Sequence, residues 1–165
     1  MIVLITNIQT SLKKANIFDD YIKMGNMGDE HGKSISEILV GDIMSKSLIS
    51  ADPLTTVYQI AKLMEKGEVG AIIVKKDNSP AGIITDRDFA IKIATQKYPL
   101  DTPVHKVASY PLQTINSNES ILAAADKMCS KKIRKLAVVE DKKVVGIITS
   151  TDLVNQLAKM KKSSK

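Results

Sequence analysis

The sequence predicts an α+β protein that contains two tandem copies of a β-α-β-β-α unit. A seven-residue line, Gly82-Ile83-Ile84-Thr85-Asp86-Arg87-Asp88, returns 64 positions later as Gly146-Ile147-Ile148-Thr149-Ser150-Thr151-Asp152. A helical apolar pattern and a predicted hairpin precede each line at the same offset. Because one unit alone would be marginal in size, we expect a pseudo-two-fold pair of small sheets, packed face to face, with flanking helices.

The chain divides into three regions. Residues 1–34 show no clear period, and we interpret them as an N-terminal arm or linker. Residues 35–98 form the first repeat, and residues 99–165 form the second repeat with a basic, frayed C-terminal tail. At the start of the first repeat, Ser34-Ile35-Ser36-Glu37 is typical of a capping box, which predicts a short helix running toward Val40.

The next elements follow from apolar spacing. Residues 48–50 are predicted as a short strand, and residues 56–66 as an amphipathic helix that Gly67 ends. The apolar positions of this helix have i, i+3, i+4, i+7 spacing and are Val57, Ile60, Ala61 and Met64. The pattern therefore places one face of this helix on a core.

A hairpin and a second helix complete the repeat. Residues 71–74 and 82–84 are predicted strands, joined by a turn at residues 77–80. The helix that follows Thr85 is predicted to reach about residue 95. The second repeat matches without a gap: Ile121, Ala124, Ala125 and Met128 correspond to the helix positions given above.

Two packing predictions follow from this plan. The sheet faces that meet between the repeats should carry Ile72, Val74 and Ile83 with their counterparts. The outward faces of the helices should be available to a second copy of the chain, which predicts a homodimer. The residues assigned to those faces are Met64, Ile91, Ile93, Met128 and Leu157.

Each repeated line combines two groups that suit a sugar phosphate. Thr85 and Thr149 are good helix N-caps, and a helix N-terminus presents backbone N–H groups that can hold a phosphate. Asp88 and Asp152 follow three residues later, where a carboxylate can accept hydrogen bonds from vicinal hydroxyls. The repeated pair predicts sites for the ribose and phosphate of a nucleotide.

Composition excludes several classes of protein. The single cysteine, Cys129, rules out an internal disulfide framework and is predicted to be a buried free thiol. No apolar run is long enough to span a bilayer, so a cytoplasmic protein is expected. His31 and His105 lack metal-ligand spacing, and no nucleophile–base set or phosphate-binding Gly-Lys loop is present. We therefore expect neither an enzyme nor a metal site.

The order of elements and the doubled line resemble the CBS-domain pair, also called the Bateman module, over roughly residues 38–160. The resemblance extends to Ser47-Leu48-Ile49 and Pro111-Leu112-Gln113, which stand where this family starts a strand. It implies a stand-alone regulatory module that binds an adenosine-containing ligand in two clefts between the repeats. No prosthetic group is implied.

The resemblance also implies which residues form the clefts. The first cleft would combine Thr85, Arg87 and Asp88 with Pro111, Leu112, Gln113 and Ile133. The second cleft would combine Thr149, Thr151 and Asp152 with Ser47, Leu48, Ile49, Val69 and Gly70. The Thr and Asp would contact phosphate and ribose, and the opposite segment would contact adenine.

A charge asymmetry narrows the expected ligand. The second repeat has Lys131, Lys132, Arg134 and Lys135 before its central strand, where the first has Gly67, Glu68, Gly70 and Ala71. In relatives whose ligand carries phosphates, a basic pair at the place of Arg134 and Lys135 reaches the phosphate tail. Such a charge-assisted bond contributes about 1.5–3 kcal/mol, which favours AMP, ADP or ATP over bare adenosine or S-adenosylmethionine; AMP is the first expectation.

Simpler interpretations stay open at this point. The Thr and Asp residues could be helix caps and first-turn acids only, and the basic run could be a solvated loop. The formal charge of +6 also allows a different function, nucleic-acid binding or scaffolding through the Lys-rich loop and tail. Aromatic residues make up only 4% of the chain, which argues against a stacking surface for single strands.

Overall fold

The computed structural model describes residues 34–77 and 79–163. The predicted N-terminal arm lies outside these residues, except for Ser34. A capping box at Ser34 opens a 3-10 turn, Ile35–Glu37, with the Ser34 amide donating to Glu37 Oε2 at 2.7 Å. The capping box is therefore confirmed, but the turn ends before a separate short helix, α1 (Val40–Ile43).

The first repeat continues with a strand, a helix and a hairpin. These are β1 (Ser50–Ala51), α2 (Val57–Gly67), β2 (Ala71–Lys76) and β3 (Ser79–Thr85). A helical segment follows in three parts, an α turn at Asp86–Asp88, a π turn at Phe89–Ile93 and an α turn at Ala94–Gln96, together called α3. A 3-10 turn at Val104–Lys106 then leads to the second repeat.

The second repeat has the same order. Its elements are β4 (Thr114–Asn116), α4 (Ile121–Lys131), β5 (Lys135–Glu140), β6 (Lys143–Thr149) and α5 (Ser150–Ser163). Each repeat forms a three-stranded mixed sheet in which the first strand pairs parallel and the last antiparallel with the middle strand. The predicted α+β fold with duplicated small sheets is confirmed.

The segment that leads into each repeat hydrogen-bonds to the hairpin of the other repeat. Ser109, just before β4, exchanges two backbone hydrogen bonds with Ile83 of β3, at 2.8 and 3.1 Å. Ser45, before β1, exchanges two with Ile147 of β6, both at 2.9 Å. We call residues 45–49 and 109–113 the crossing segments, because each lies against the other repeat before it joins its own sheet.

The crossing segments correct the predicted strand starts. The first strand does not begin at Leu48 but at Ser50, and its counterpart begins at Thr114. Pairing within the own sheet starts only at Ile49 and Gln113, whose carbonyls accept from the Ile73 and Ala137 amides at 3.0 Å. Earlier in each crossing segment, Ser45 and Ser109 pair with the hairpin of the other repeat.

Other boundaries also differ from prediction. Gly67 is the last residue of α2 rather than the residue after it, and the left-handed cap is Glu68, with φ of 50°. Ser79 and Pro80 belong to β3 rather than to a turn. The C-terminal residues predicted to fray continue α5 as far as Ser163.

Side chains alternate between the two faces of each strand, so each sheet contributes to a core on its helix side and to a core between the sheets. Ile72, Val74 and Ile84 point to the helices of the first repeat, so the prediction that Ile72 and Val74 face the other sheet is wrong. The contact between the sheets is formed by the alternate positions, with Leu48 and Leu112 packed at its margin. Its buried members are Ala71, Ile73, Ala137 and Ile147. The sheets therefore meet through small and β-branched side chains.

Most residues predicted for an outward helix face lie inward. Ile93 and Met128 are 6% and 5% exposed and belong to the two helix-side cores. Met64 and Leu157 are half-buried beside buried clusters, whereas Ile91 is 49% exposed. Cys129, predicted to be buried, is an exposed free thiol at the solvent side of α4. Helical period alone did not separate core from surface at these positions.

The described part of the chain offers neither a membrane span nor a metal cluster. None of its helices combines the length and the apolar character needed to cross a bilayer. Within the same residues, no group of three His, Cys, Asp or Glu side chains is placed to hold a metal ion.

We predict that Gly82→Ala and Gly146→Ala each destabilise the fold by about 1–3 kcal/mol because a Cβ would overlap a crossing segment. A Cβ on Gly82 would lie 2.5 Å from the Tyr110 ring and 2.9 Å from the Ser109 carbonyl oxygen. A Cβ on Gly146 would lie 2.8 Å from the Ser45 carbonyl oxygen. Urea unfolding measures the effect.

Gly41→Ala is the matched control. Its added Cβ would come no closer than 3.2 Å to Ser117, and alanine favours a helix by about 0.5–1 kcal/mol, so the net change should stay below about 1 kcal/mol. Equal losses in all three variants would contradict the role assigned to the crossing segments.

Candidate functional site

A cavity lies where the end of β3 and the start of α3 face the second repeat. Its volume is about 690 Å³ including the mouth that opens to solvent. It is lined by Ile83, Thr85, Asp86, Arg87, Asp88, Ser109, Pro111, Gln113, Lys132, Ile133, Arg134 and Lys135. Both repeats thus contribute, as expected for the first cleft.

Thr85 and Asp88 form a reciprocal capping box at one wall. The Thr85 amide and hydroxyl donate to Asp88 Oδ2 at 2.8 and 2.6 Å, and the Asp88 amide donates to Thr85 Oγ1 at 3.3 Å. Thr85 and Asp88 therefore do cap this helix, as the simpler interpretation of the sequence expects. A ligand hydroxyl would have to bond to the other carboxylate oxygen, Oδ1.

Asp88 Oδ1 is itself engaged by Lys92. Lys92 Nζ lies 2.9 Å from Oδ1 and also donates to Ser109 Oγ at 2.8 Å and to the Val107 carbonyl at 3.0 Å. The Asp88 side chain is 12% exposed. Lys92 therefore neutralises Asp88 and fastens the start of a crossing segment to α3.

The opposite wall contains the basic residues of the second repeat. Lys135 Nζ donates to Asp86 Oδ1 at 2.9 Å and to the Gly70 carbonyl at 2.5 Å, so it connects the repeats. The Lys135 side chain is 17% exposed, whereas Arg134 and Lys132 are exposed at the cavity. Of the predicted basic pair, Arg134 is the member whose charge is not tied in an ion pair with a described residue.

The ion pair shifts the acid–base equilibrium of Asp86. Burial alone would raise the pKa of the Asp86 carboxyl, but the hydrogen bond and charge of Lys135 outweigh this effect. The Arg87 amide and the charge of Arg134 act in the same direction as Lys135. The pKa of Asp86 therefore lies below its ordinary value of 3.8, and the carboxylate stays ionised near neutral pH.

The structure brings together most residues predicted for the first cleft. Thr85, Arg87, Asp88, Pro111, Gln113 and Ile133 all line the cavity, as do Arg134 and Lys135. Leu112 does not; it packs against the core between the sheets. Sequence reasoning did not assign Ile83, Asp86, Ser109 or Lys132 to the cleft. The recurrence of Ser45 as Ser109 at the repeat offset was the signal that could have found Ser109.

The residues predicted for the second cleft are more dispersed. Thr149 and Asp152 form the same capping box, with the Thr149 amide and hydroxyl each 2.7 Å from Asp152 Oδ2, and exposed Thr151 lies between them. Exposed Ser47 follows Ser45, which pairs with β6. Leu48 packs between the sheets, and Ile49 and Val69 pack against the core of the first repeat.

Gly70 departs from the predicted assignment. Its carbonyl accepts from the Asp86 amide at 3.1 Å and from Lys135, two residues that line the first cavity. The backbone of Gly70 is therefore committed to the first cleft. A Cβ at this position would lie 2.8 Å from Lys135 Nζ and 2.9 Å from Asp86 Oδ2, so a larger residue would require this ion pair to shift.

A family model of the CBS domain matches this chain twice, at residues 40–95 and 104–159. The CBS domain-containing protein YhcV of Bacillus subtilis is 36% identical over 120 residues, which cover 72% of this chain and 86% of that protein. An uncharacterized protein of Methanopyrus kandleri is 33% identical over 120 residues. That match covers 71% of this chain but only 61% of the relative.

A solved structure supports the same comparison. The CBS domain pair of protein MJ0100, in complex with 5′-methylthioadenosine and S-adenosyl-L-methionine, superposes with a TM-score of 0.66 at 29% identity. The match covers 73% of this chain and 95% of that one.

We predict that Lys135→Met raises the pKa of the Asp86 carboxyl, because it removes the hydrogen bond and charge that lower it. A depressed folded-state pKa contributes stability that is present above the unfolded value of roughly 3.9 and is lost as the pH falls through the folded value. In the wild type, this contribution should therefore decline as the pH falls below roughly 3.9 and through the lower folded-state pKa of Asp86. Carboxyl ¹³C NMR titration measures the pKa directly.

Lys143→Met is the control, since Lys143 lies at the far end of the β5–β6 hairpin. It should leave the Asp86 titration where it is. An unchanged Asp86 pKa in Lys135→Met would show that the ion pair is not formed in solution.

Proposed function

Since this chain belongs to the CBS-domain family and carries two such domains in tandem, we propose that it is a regulatory module that binds an adenine nucleotide between its repeats and transmits a conformational signal to an effector protein. AMP is the first candidate ligand, and ADP and ATP are the others, which would make the module a sensor of cellular energy state. The proposed activity is binding rather than catalysis.

The observation that carries the proposal is the composition of the cavity walls. A hydroxyl and a carboxylate, from Thr85 and Asp88, face a wall that holds Arg134 and the apolar Ile133. A ribose phosphate needs an acceptor for its diol and a cation for its phosphate, and the purine needs an apolar surface. A related CBS pair holds adenosine-containing ligands, which agrees with this class of ligand.

Phosphate recognition is assigned to Arg134, with Arg87 and Lys132 in support. Lys135 already donates to Asp86 and Gly70, so only one of its three N–H groups is left for a phosphate. Arg134 and Arg87 carry planar guanidinium groups that can each make two hydrogen bonds to a phosphate. This assignment favours one phosphate group over a long chain of them.

The signal would be a change in the relative position of the repeats. The cavity lies between them, and the Lys135–Asp86 pair and the crossing segment at Ser109 connect its two walls. A ligand that fits one arrangement of these walls better than another shifts the population toward it. An effector that distinguishes the arrangements would then respond to the nucleotide.

We also propose that the module forms a homodimer through the second helix of each repeat. Ile91 on α3 is 49% exposed and Val154 on α5 is 62% exposed. These are large apolar side chains at neighbouring positions of two equivalent helices. The wider apolar face expected from the sequence is not available, because Ile93 and Met128 are buried.

We predict that AMP raises the melting temperature of the wild type and that Asp88→Ala combined with Asp152→Ala abolishes the shift. Since both carboxylates also cap helices, Arg134→Ala provides a second test that leaves the capping boxes intact. Loss of a charge-assisted phosphate bond should weaken AMP about tenfold or more while adenosine changes much less. Calorimetric titration measures both affinities.

Lys142→Ala is the matched control, because Lys142 lies in the turn between β5 and β6 at the far end of the hairpin. An absence of any adenine-nucleotide effect on the wild type would refute the proposal. Nucleic-acid binding that falls steeply with salt and ignores the Asp and Arg changes would favour the alternative function.

We predict that Ile91→Lys combined with Val154→Lys converts the dimer to a monomer, because both changes place charges on the proposed interface. Sedimentation velocity at several concentrations measures the assembly. Leu54→Lys is the control, since Leu54 is 74% exposed on a different surface, before α2. A wild type that sediments as a monomer at all concentrations would remove the proposed dimer.

A further inference from the structure

We infer that the two clefts select adenosine ligands of opposite charge, and that Glu68 and Lys132 are the residues that set this selectivity. The first cleft takes a phosphorylated adenosine, and the second takes an uncharged or cationic one. The inference rests on the proposed function, because it specifies the ligand class of each cleft.

Glu68 and Lys132 occupy structurally equivalent positions. Each follows the first helix of its repeat in the left-handed conformation, with φ of 50° for Glu68 and 54° for Lys132. The Glu68 amide donates to the Glu65 carbonyl at 3.3 Å, and the Lys132 amide donates to the Cys129 carbonyl at 3.2 Å. The two side chains therefore leave the backbone at the same place relative to their repeats, with opposite charges.

The position shared by Glu68 and Lys132 lies at a cavity wall in the first cleft. Lys132 and the next residue, Ile133, line the cavity of the first cleft. Their counterparts are Glu68 and Val69, and the Val69 and Ile133 amides make the same hydrogen bond to a helix carbonyl, at 3.1 and 3.0 Å. From the pseudo-two-fold symmetry of the repeats, we expect Glu68 to face the Thr149–Asp152 corner, as Lys132 shares the first cavity with the Thr85–Asp88 corner.

The other charged positions reinforce the difference. Four cationic side chains and two anionic ones line the first cavity, a net formal charge of +2. Its cations are Arg87, Lys132, Arg134 and Lys135, and their counterparts at the repeat offset are Thr151, Glu68, Gly70 and Ala71. The anions Asp86 and Asp88 correspond to Ser150 and Asp152. The second set therefore holds two carboxylates and no cation.

Asp88 and Asp152, the two carboxylates proposed to accept from the ribose hydroxyls, also differ in whether a cation lies beside them. Lys92 lies 2.9 Å from the Asp88 carboxylate, whereas the counterpart of Lys92 is the neutral Gln156. Among residues 34–77 and 79–160, no cation forms an ion pair with Asp152. A phosphate entering the second cleft would meet Glu68 and an uncompensated Asp152, and a like-charge pair in a partly desolvated site opposes binding.

Charge reversal at the two equivalent positions tests the inference in the full-length chain, with AMP and adenosine as probes in calorimetric titrations. Wild type should bind one AMP per chain. Lys132→Glu should weaken AMP about tenfold and adenosine less than about threefold, because only AMP carries the phosphate. Glu68→Lys should add a second AMP site, and that site should disappear when Asp152→Asn is added.

Asp77→Lys and Lys142→Glu are matched controls. Both residues lie in hairpin turns away from the clefts and have positive φ, 50° for Asp77 and 65° for Lys142, so they reproduce the charge change and the backbone conformation. They should not alter the ratio of AMP to adenosine affinity. Circular-dichroism melting checks that every variant is folded.

The titrations distinguish a failure of the proposed charge selectivity from a failure of the proposed nucleotide binding. If wild type binds neither probe, the proposed nucleotide-binding function fails. If wild type binds AMP equally in both clefts, the charge selectivity is wrong but nucleotide binding stands. The same conclusion follows if neither charge reversal changes the ratio of AMP to adenosine affinity relative to its control. A second AMP site gained only with Glu68→Lys supports the inference.

Discussion

The exchange of backbone hydrogen bonds between crossing segments and hairpins is the constraint on which the rest of the structure depends. Ser45 pairs with β6 and Ser109 pairs with β3, so the hairpin of each repeat has backbone hydrogen bonds to the other repeat. The glycines of the repeated line exist because the crossing segments pass directly over them. A motif that looks like a local strand-to-helix signal is thus also a long-range contact.

This arrangement explains why the candidate site lies between the repeats. Each crossing segment reaches the hairpin of the other repeat beside its Thr–Asp corner, and it brings Ser109 and Pro111 to the corner at Thr85. The core between the sheets packs the two repeats, and with them the two corners, against each other. The Lys135–Asp86 bond is one of the polar connections between the walls of this cavity, and Asp86 is exposed enough for a ligand to influence it.

Sequence periodicity predicted the duplication, the fold and the Thr–Asp corners because each depends on spacing within one repeat. It failed where partners come from the other repeat. The Lys135–Asp86 pair joins residues 49 positions apart, and spacing cannot show that Lys135 is occupied by a carboxylate. Ile72 and Ile73 are equally apolar, so composition could not decide which one faces the other sheet. The sequence pattern predicts on which helix or strand a residue lies, but it does not predict which residues of the other repeat that residue contacts.

The central claim is that a phosphorylated adenosine binds between the Thr85–Asp88 corner and the wall that carries Arg134. Backbone amide NMR spectra recorded during titration with AMP test it most directly. The account predicts that saturable shifts concentrate at Thr85, Asp88, Ser109, Ile133 and Arg134, on both sides of the cavity. Shifts confined to one repeat, or centred on the Lys-rich end of α5, would contradict it.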